Sequence, residues 1–316
     1  MSAAIVLQDV SKRYRSHWAV TDLNLSVASG EVLGFLGPNG AGKTTTIRLL
    51  TGFLRPTSGV VRLLGYDMAR PREAQLARRR LGFVPDVAGL DATVSAQVLL
   101  NQLADLQQAP PVDRAHLIQT LELAPPDLRR PMGRLSRGTR QKINLVQGMQ
   151  HRPDLLILDE PTEGLDPITK RALFDLLHAA RTRGATIFFS SHILSEVEEL
   201  CDRVALIRRG RLAAVETLAD LHHHLYRRVT LQLADEPTDT MVQDVETQLQ
   251  RLPTLDQLVY AQGQWRFVIQ ELPPLLRMLA AWPVQDLTIT PPALEEVFLH
   301  YYQSEAPAET DADATL

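Results

Sequence analysis

The chain has 316 residues, 45% of them hydrophobic and 22% charged, an ordinary globular composition with room for two domains. Lys and Arg number 33 against 37 Asp and Glu, a net charge of -4, which excludes a strongly basic nucleic-acid binder though not a local basic patch. The single cysteine, Cys201, excludes a disulfide framework or a zinc-finger array and fits a reducing compartment.

No run reaches the ~18 apolar residues that a membrane span needs. Residues 1–12 read as an alternating strand without the core of a signal peptide. The expectation is a soluble, unexported chain that reaches a membrane only through a partner. Further along, residues 25–27, 32–36, 81–84, 155–158, 186–190 and 204–207 are short apolar runs. Several lack polar alternation, as strands buried on both faces do. Residues 44–52, 97–107, 140–150, 167–181 and 194–200 read as helices between them. Alternating strand and helix predicts an α/β sheet for residues 1–217.

Arg208-Arg209-Gly210-Arg211 reads as a hairpin turn and residues 217–221 as a short helix. His222-His223-His224 falls in an expected linker, residues 218–227. Adjacent side chains on a helix or strand cannot all converge on one ion, so these histidines read as solvated rather than as a metal site. Beyond the linker, 228–233 reads as a strand, 240–252 as a helix, 257–261 and 264–269 as a hairpin around Gln262-Gly263, 275–282 as a helix and 285–289 as a strand. This β-α-β-β-α-β order predicts a ferredoxin-like α+β accessory domain over residues 228–303, ending in a helix at 293–302. Residues 304–316 carry four acids and no bases and are expected to be disordered.

Gly37-Pro38-Asn39-Gly40-Ala41-Gly42-Lys43-Thr44 fits the P-loop pattern between a strand and a helix. Glycines let backbone N–H groups crowd onto a polyphosphate, and the helix start adds its positive dipole. Lys43 can reach the β- and γ-phosphates of a nucleoside triphosphate, and the Thr44 hydroxyl can ligate magnesium; Thr45 is grouped with them. Asp154-Leu155-Leu156-Ile157-Leu158-Asp159-Glu160 is a buried strand ending in two carboxylates. Asp159 has the place of a Mg2+ ligand, and Glu160 that of a general base for an attacking water. His192 ends another apolar strand, where it can meet the γ-phosphate. Leu135-Ser136-Arg137-Gly138 opens a helix and makes a second anion site. Read alone, His192 is a structural histidine and Ser136 an N-cap.

Together these motifs resemble the ATP-binding cassette family over residues 4–217. The P-loop, the Walker B strand, the signature Leu135-Ser136-Arg137-Gly138-Thr139-Arg140-Gln141, the D-loop Glu163-Gly164-Leu165-Asp166 and the switch histidine His192 follow in order. Tyr14 resembles the aromatic residue that stacks on adenine. The resemblance implies a P-loop nucleotide-binding domain with a mixed sheet core and a helical subdomain at about 87–150. It also implies ATP and Mg2+ as ligands and a homodimer in the ATP-bound state. Each ATP would lie between the P-loop of one chain and Ser136, Gly138 and Asp166 of the other. The finer resemblance, carried by Arg78-Arg79-Arg80-Leu81-Gly82-Phe83-Val84-Pro85, the signature through Lys142 and Leu294-Glu295-Glu296-Val297-Phe298-Leu299, is to subunits of bacterial ABC-2-type exporters of drugs and antibiotics. It implies separate membrane permease subunits, docking on the helical subdomain, and a peripheral place at the cytoplasmic face of the membrane.

Two positions depart from the pattern. Asp86 stands where the broad family has Gln, which supplies a neutral oxygen to magnesium and the attacking water; Asp is one methylene shorter and charged, and it is expected still to reach the metal, directly or through water. Arg137 replaces a frequent Gly and is expected to point to solvent. The alternatives are a soluble cassette ATPase acting on ribosomes or nucleic acid, and an importer subunit. The first is opposed by the charge and the lone cassette, the second by the β-α-β-β-α-β extension. A small-molecule kinase would not need Ser136, Asp166 and His192 together. The extension shows no clustered chemistry and is expected to mediate homodimerisation.

Overall fold

The computed structural model describes residues 3–85, 91–223, 227–234 and 238–290. The chain divides after Leu218 into two compact units.

In the first unit, β1 (Ala3–Tyr14) and β2 (His17–Ala28) form an antiparallel hairpin. β3 (Val32–Leu36) leads through the P-loop into α1 (Lys43–Leu50). β4 (Ser58–Leu63) and β5 (Tyr66–Asp67) complete an antiparallel sheet in the order β2-β1-β4-β5. After α2 (Pro71–Arg79) comes β6 (Leu81–Val84). The helices α3 (Ala96–Gln107), α4 (Arg114–Thr120), α5 (Pro125–Arg129) and α6 (Arg137–Met149) follow. β7 (Leu155–Asp159), α7 (Pro167–Thr182), β8 (Thr186–Ser191), α8 (Leu194–Leu200), β9 (Arg203–Arg208), β10 (Arg211–Thr217) and α9 (Leu218–His223) end this stretch. The second sheet runs β10-β9-β3-β8-β7-β6, parallel except for β10.

Every residue of β3, β7 and β8 is buried, which is why these strands read as unbroken apolar runs. Phe35 and Phe188 are fully buried with ring centroids 5.0 Å apart. They belong to a core shared with Ile5, Leu23 and Leu63 of the antiparallel sheet and Ile47 and Leu50 of α1. That packing fixes the start of α1 against the end of β3. Leu99 of α3 is buried, whereas Val98 is exposed.

His151, 8% exposed, follows α6. Burial, the largest influence on it, holds its pKa below the ordinary 6.5. The neutral ring therefore suits the fold, and its contribution is complete above about pH 6.5 and declines as pH falls below it. The slope is at most ~1.4 kcal/mol per pH unit between the two pKa values. Thermal unfolding at pH 7.5 and 5.5 is expected to show a larger drop in Tm for wild type than for His151→Gln.

The second unit holds β11 (Arg227–Leu233), α10 (Asp239–Leu249), β12 (Leu255–Ala261), β13 (Gln264–Ile269), α11 (Leu272–Leu279) and β14 (Val284–Thr290). Its antiparallel sheet has the order β12-β13-β11-β14, the ferredoxin-like arrangement. Val229, Leu231 and Leu233 alternate into a core with Leu249, Trp265, Phe267 and Leu275, while Arg228 and Arg266 stay outside it. The expected helix at 293–302, the acidic tail at 304–316 and His224 lie outside the described residues.

Candidate functional site: a P-loop cleft with paired carboxylates

α1 starts without a side-chain cap, on Gly42 at φ 112°. The first bond into the helix is Thr46 N–H to Gly42 O at 2.9 Å, so the first-turn amides of Lys43, Thr44 and Thr45 have no intrahelical carbonyl. They add to the dipole at this end and form an anion site. A cleft of about 470 Å³ opens here, lined by Pro38, Asn39, Gly40 and Gly42 with Lys43, Thr44 and Thr45. Lys43, 7% exposed, donates to Gly37 O at 2.6 Å and lies 3.6 Å from Glu160 Oε1. Ala41 is buried; its N–H donates to Pro38 O and its carbonyl accepts from Gly210 N–H, so it braces the loop from behind.

The two carboxylates reach the same cleft. Asp159 ends β7, and its Oδ1 accepts from Ser190 Oγ at 2.7 Å. Glu160 is bent into the left-handed region at φ 48°. Its N–H is held there by Ser190, with the carbonyl at 3.2 Å and the hydroxyl oxygen at 3.1 Å. The bend turns Glu160 away from the strand and toward Lys43 and His192. His192 Nδ1 lies 2.8 Å from Glu160 Oε2. A carboxylate only accepts, so Nδ1 carries the proton. The donor set fits a polyphosphate: backbone amides and an ammonium for the anion, and the oxygens of Thr44 and Asp159 for a hard cation.

Among the described residues, the lining of this cleft does not include Tyr14, Ser136, Gly138 or Asp166. Tyr14 pairs across the β1–β2 hairpin with His17, and it is His17 that lines the cleft. Ser136 caps α6, its Oγ accepting from Thr139 N–H at 3.1 Å. This helix therefore begins at Arg137, three residues before the predicted start. Asp166 caps α7 through Thr169 N–H at 2.9 Å and the Thr169 hydroxyl at 2.7 Å, bonds that lower its pKa. Arg137 is not simply solvated: at the first position of α6, its Nη2 donates to Glu163 Oε1 at 2.5 Å, in the turn that follows β7. Both partners are half-exposed, so the pair contributes under about 1 kcal/mol. Asp86 lies outside the described residues.

Sequence reading passed over several supporting groups. Ser190 bonds the Asp159 carboxylate and the backbone N–H of Glu160. Gln141, Asn144 and Gln147 form a buried amide ladder on α6 that donates to Pro161 O at 2.7 Å, Pro85 O at 2.5 Å and Phe83 O at 2.6 Å. Their spacing of three along one helix was the available signal.

The fold and the cleft define a P-loop ATPase, with the helix start at Ser136 outside the cleft's lining. Residues 20–163 match the family model described as ABC transporter. The chain is 38% identical over 240 residues to the bacitracin transport ATP-binding protein BcrA of Bacillus licheniformis, covering 75% of this chain and 77% of that one. It is 37% identical over 222 residues to the Nod factor export ATP-binding protein I of Burkholderia orbicola, covering 67% and 70%. Among solved structures, an ATP-binding subunit of an ABC transporter superposes with a TM-score of 0.65 at 28% identity, over 70% of this chain and 92% of that one. The chain belongs to the ATP-binding subunits of ABC transporters. It is an ATP-binding, ATP-hydrolysing protein, as the motifs imply.

Proposed function

We propose that two copies of this chain close head to tail around ATP and power export through a separate ABC-2-type membrane permease from the cytoplasmic face of the membrane. The observation that carries the reading is the division of the anion sites. Lys43, Glu160 and His192 share one cleft, and the helix start at Ser136 and Gly138 is outside it. A second chain supplies the missing half. In this arrangement Ser136, Gly138 and Asp166 face the partner's ATP, and Tyr14, with His17 beside it, meets the adenine. Glu160 takes the proton of the attacking water and His192 holds the γ-phosphate side of the cleft. Thr44 and Asp159, with Asp86 by its place in the sequence, are assigned to hold Mg2+, which when bound supplies neutralising charge to the phosphates.

Among the described residues no helix is long and apolar enough to cross a membrane, and in the proposed arrangement the transport path lies in the separate permease. A larger cleft of about 830 Å³ is lined by Phe53, Phe83, Leu103 and Leu106, with Arg48 and Arg78 among its cations. Phe53 and Leu106 are 67% and 78% exposed. We place the permease contact there, because Thr44 and Asp159 line this cleft as well and connect it to the nucleotide site. The names of the two relatives, bacitracin transport and Nod factor export, favour export over import. When the tagged chain is purified from gently solubilised membranes of its own cell, a multi-span membrane protein is expected to accompany it and to raise its ATPase rate. Recovery of ribosomes, nucleic acid or soluble proteins alone would reverse the assignment.

A further inference from the structure

α8 carries Glu196, a carboxylate 1% exposed that no motif uses. Its Oε2 accepts from Ser191 Oγ at 2.8 Å and from Thr162 Oγ1 at 2.9 Å, and its Oε1 lies 2.7 Å from Lys170 Nζ. Ser191 Oγ in turn accepts from Ile193 N–H at 3.0 Å, so this hydroxyl brackets His192. Thr162 stands two residues after Glu160, and its carbonyl accepts from Leu165 N–H at 3.1 Å, which forms the turn through Glu163 and Gly164. Lys170 is on α7, the helix that Asp166 caps. With His192 Nδ1 2.8 Å from Glu160 Oε2, the contacts close a ring: Glu160, His192, Ser191, Glu196, Thr162 and back through Pro161.

A buried carboxylate is costly unless it is paired and hydrogen-bonded, and here Lys170 pairs it while its two hydroxyl partners, Ser191 and Thr162, each stand at a turn of the site. Two hydroxyls converging on one oxygen leave the Ser191–Ile193 turn and the Thr162–Leu165 turn one relative placement. We propose that Glu196 is a positioning residue for ATP hydrolysis. It fixes the turn that presents His192 to Glu160 and holds that turn in register with the loop from Glu163 to Asp166. The inference rests on the reading of Glu160 and His192 as the hydrolytic pair.

The test is steady-state ATPase kinetics on the full chain. Wild type is compared with Glu196→Ala, Glu196→Gln, Ser191→Ala, His192→Ala and the double variant of Glu196→Ala with His192→Ala. Glu196→Ala is expected to lower kcat about 10- to 100-fold with KM for ATP changed less than about twofold, the mark of lost alignment rather than lost binding. Glu196→Gln recovers most of kcat, because its amide oxygen still accepts both hydroxyls. Ser191→Ala cuts a single arm of the network with a smaller change in the core, and it lowers kcat in the same direction. In the His192→Ala background, removing Glu196 costs less than about twofold, since the two act as one unit. A wild-type kcat in Glu196→Ala and Ser191→Ala beside a slow His192→Ala overturns the inference alone. So does an undiminished Glu196→Ala effect in the double variant, which marks a general structural role. A wild-type rate in His192→Ala overturns the reading of the site and the inference with it.

Discussion

Replacing Glu160 with Gln is expected to lower ATP turnover by about 10²–10⁴-fold, the usual worth of a general base, while ATP still binds. The geometry sets both halves of this result. Glu160 is the cleft carboxylate that reaches both His192, at 2.8 Å, and Lys43, at 3.6 Å. Gln has the same size and keeps an acceptor for His192, so the backbone bend at φ 48° and the two bonds its N–H donates to Ser190 survive. What disappears is the ability to take a proton from water. Single-turnover hydrolysis and equilibrium ATP binding on the same protein separate the two effects. A loss below about tenfold in hydrolysis would place the base elsewhere.

The second large effect is expected on binding. Gly42→Ala loses ATP affinity by about 5- to 150-fold or more, from ~1–3 kcal/mol of backbone strain at φ 112° alone. Sterics add to it, since a Cβ at Gly42 would sit 2.8 Å from Ala19 O and 3.1 Å from Ile207 Cδ1. The backbone can relieve that clash only by moving the start of α1, where the Lys43–Thr45 amides converge. Gly184→Ala provides the control. Its φ is also positive, at 93°, but nothing lies within 4 Å of the added Cβ and the residue follows α7, away from the P-loop. It is expected to lower Tm and leave the Kd for ATP unchanged. Equal losses of ATP affinity in both variants would mean that general destabilisation, not the shape of the loop, governs binding.

The strands of the parallel sheet were legible because burial on both faces leaves apolar runs, as at β3 and β7. The hairpin at Gln262-Gly263 and the flanking alternation made the ferredoxin-like unit legible in the same way. α2 escaped notice because only Ala74 and Ala77 are buried in it, which leaves no apolar stripe to read. β4 escaped because four of its six residues are not buried, Val60 among them. α4 and α5 escaped because they bury only Leu117 and no residue respectively, so neither shows an apolar face.

The site divides along similar lines. A phosphate cradle is local, since consecutive backbone amides and one lysine build it, so 37–45 could be read directly. The support of Glu160 and His192 is not local. Ser190 reaches Asp159 across 31 residues, and Glu196 reaches Thr162 across 34. Single serines, threonines and glutamates at such separations look like any polar surface residue until the chain folds. Arg137 is a further case, because its partner Glu163 is 26 residues away and invisible to a local reading.

The most direct test of the two-chain site is a cross-link between Asn39→Cys in one chain and Ser136→Cys in another, both also carrying Glu160→Gln. The native Cys201 is buried and its thiol pKa is pushed up by burial, so it does not compete for a short thiol cross-linker. With Mg-ATP the mixture is expected to give a covalent dimer joining the two kinds of chain, and with ADP it is expected to give monomers. An identical yield with either nucleotide, or no dimer at all, would contradict an ATP held between the P-loop of one chain and the Ser136 helix of its partner.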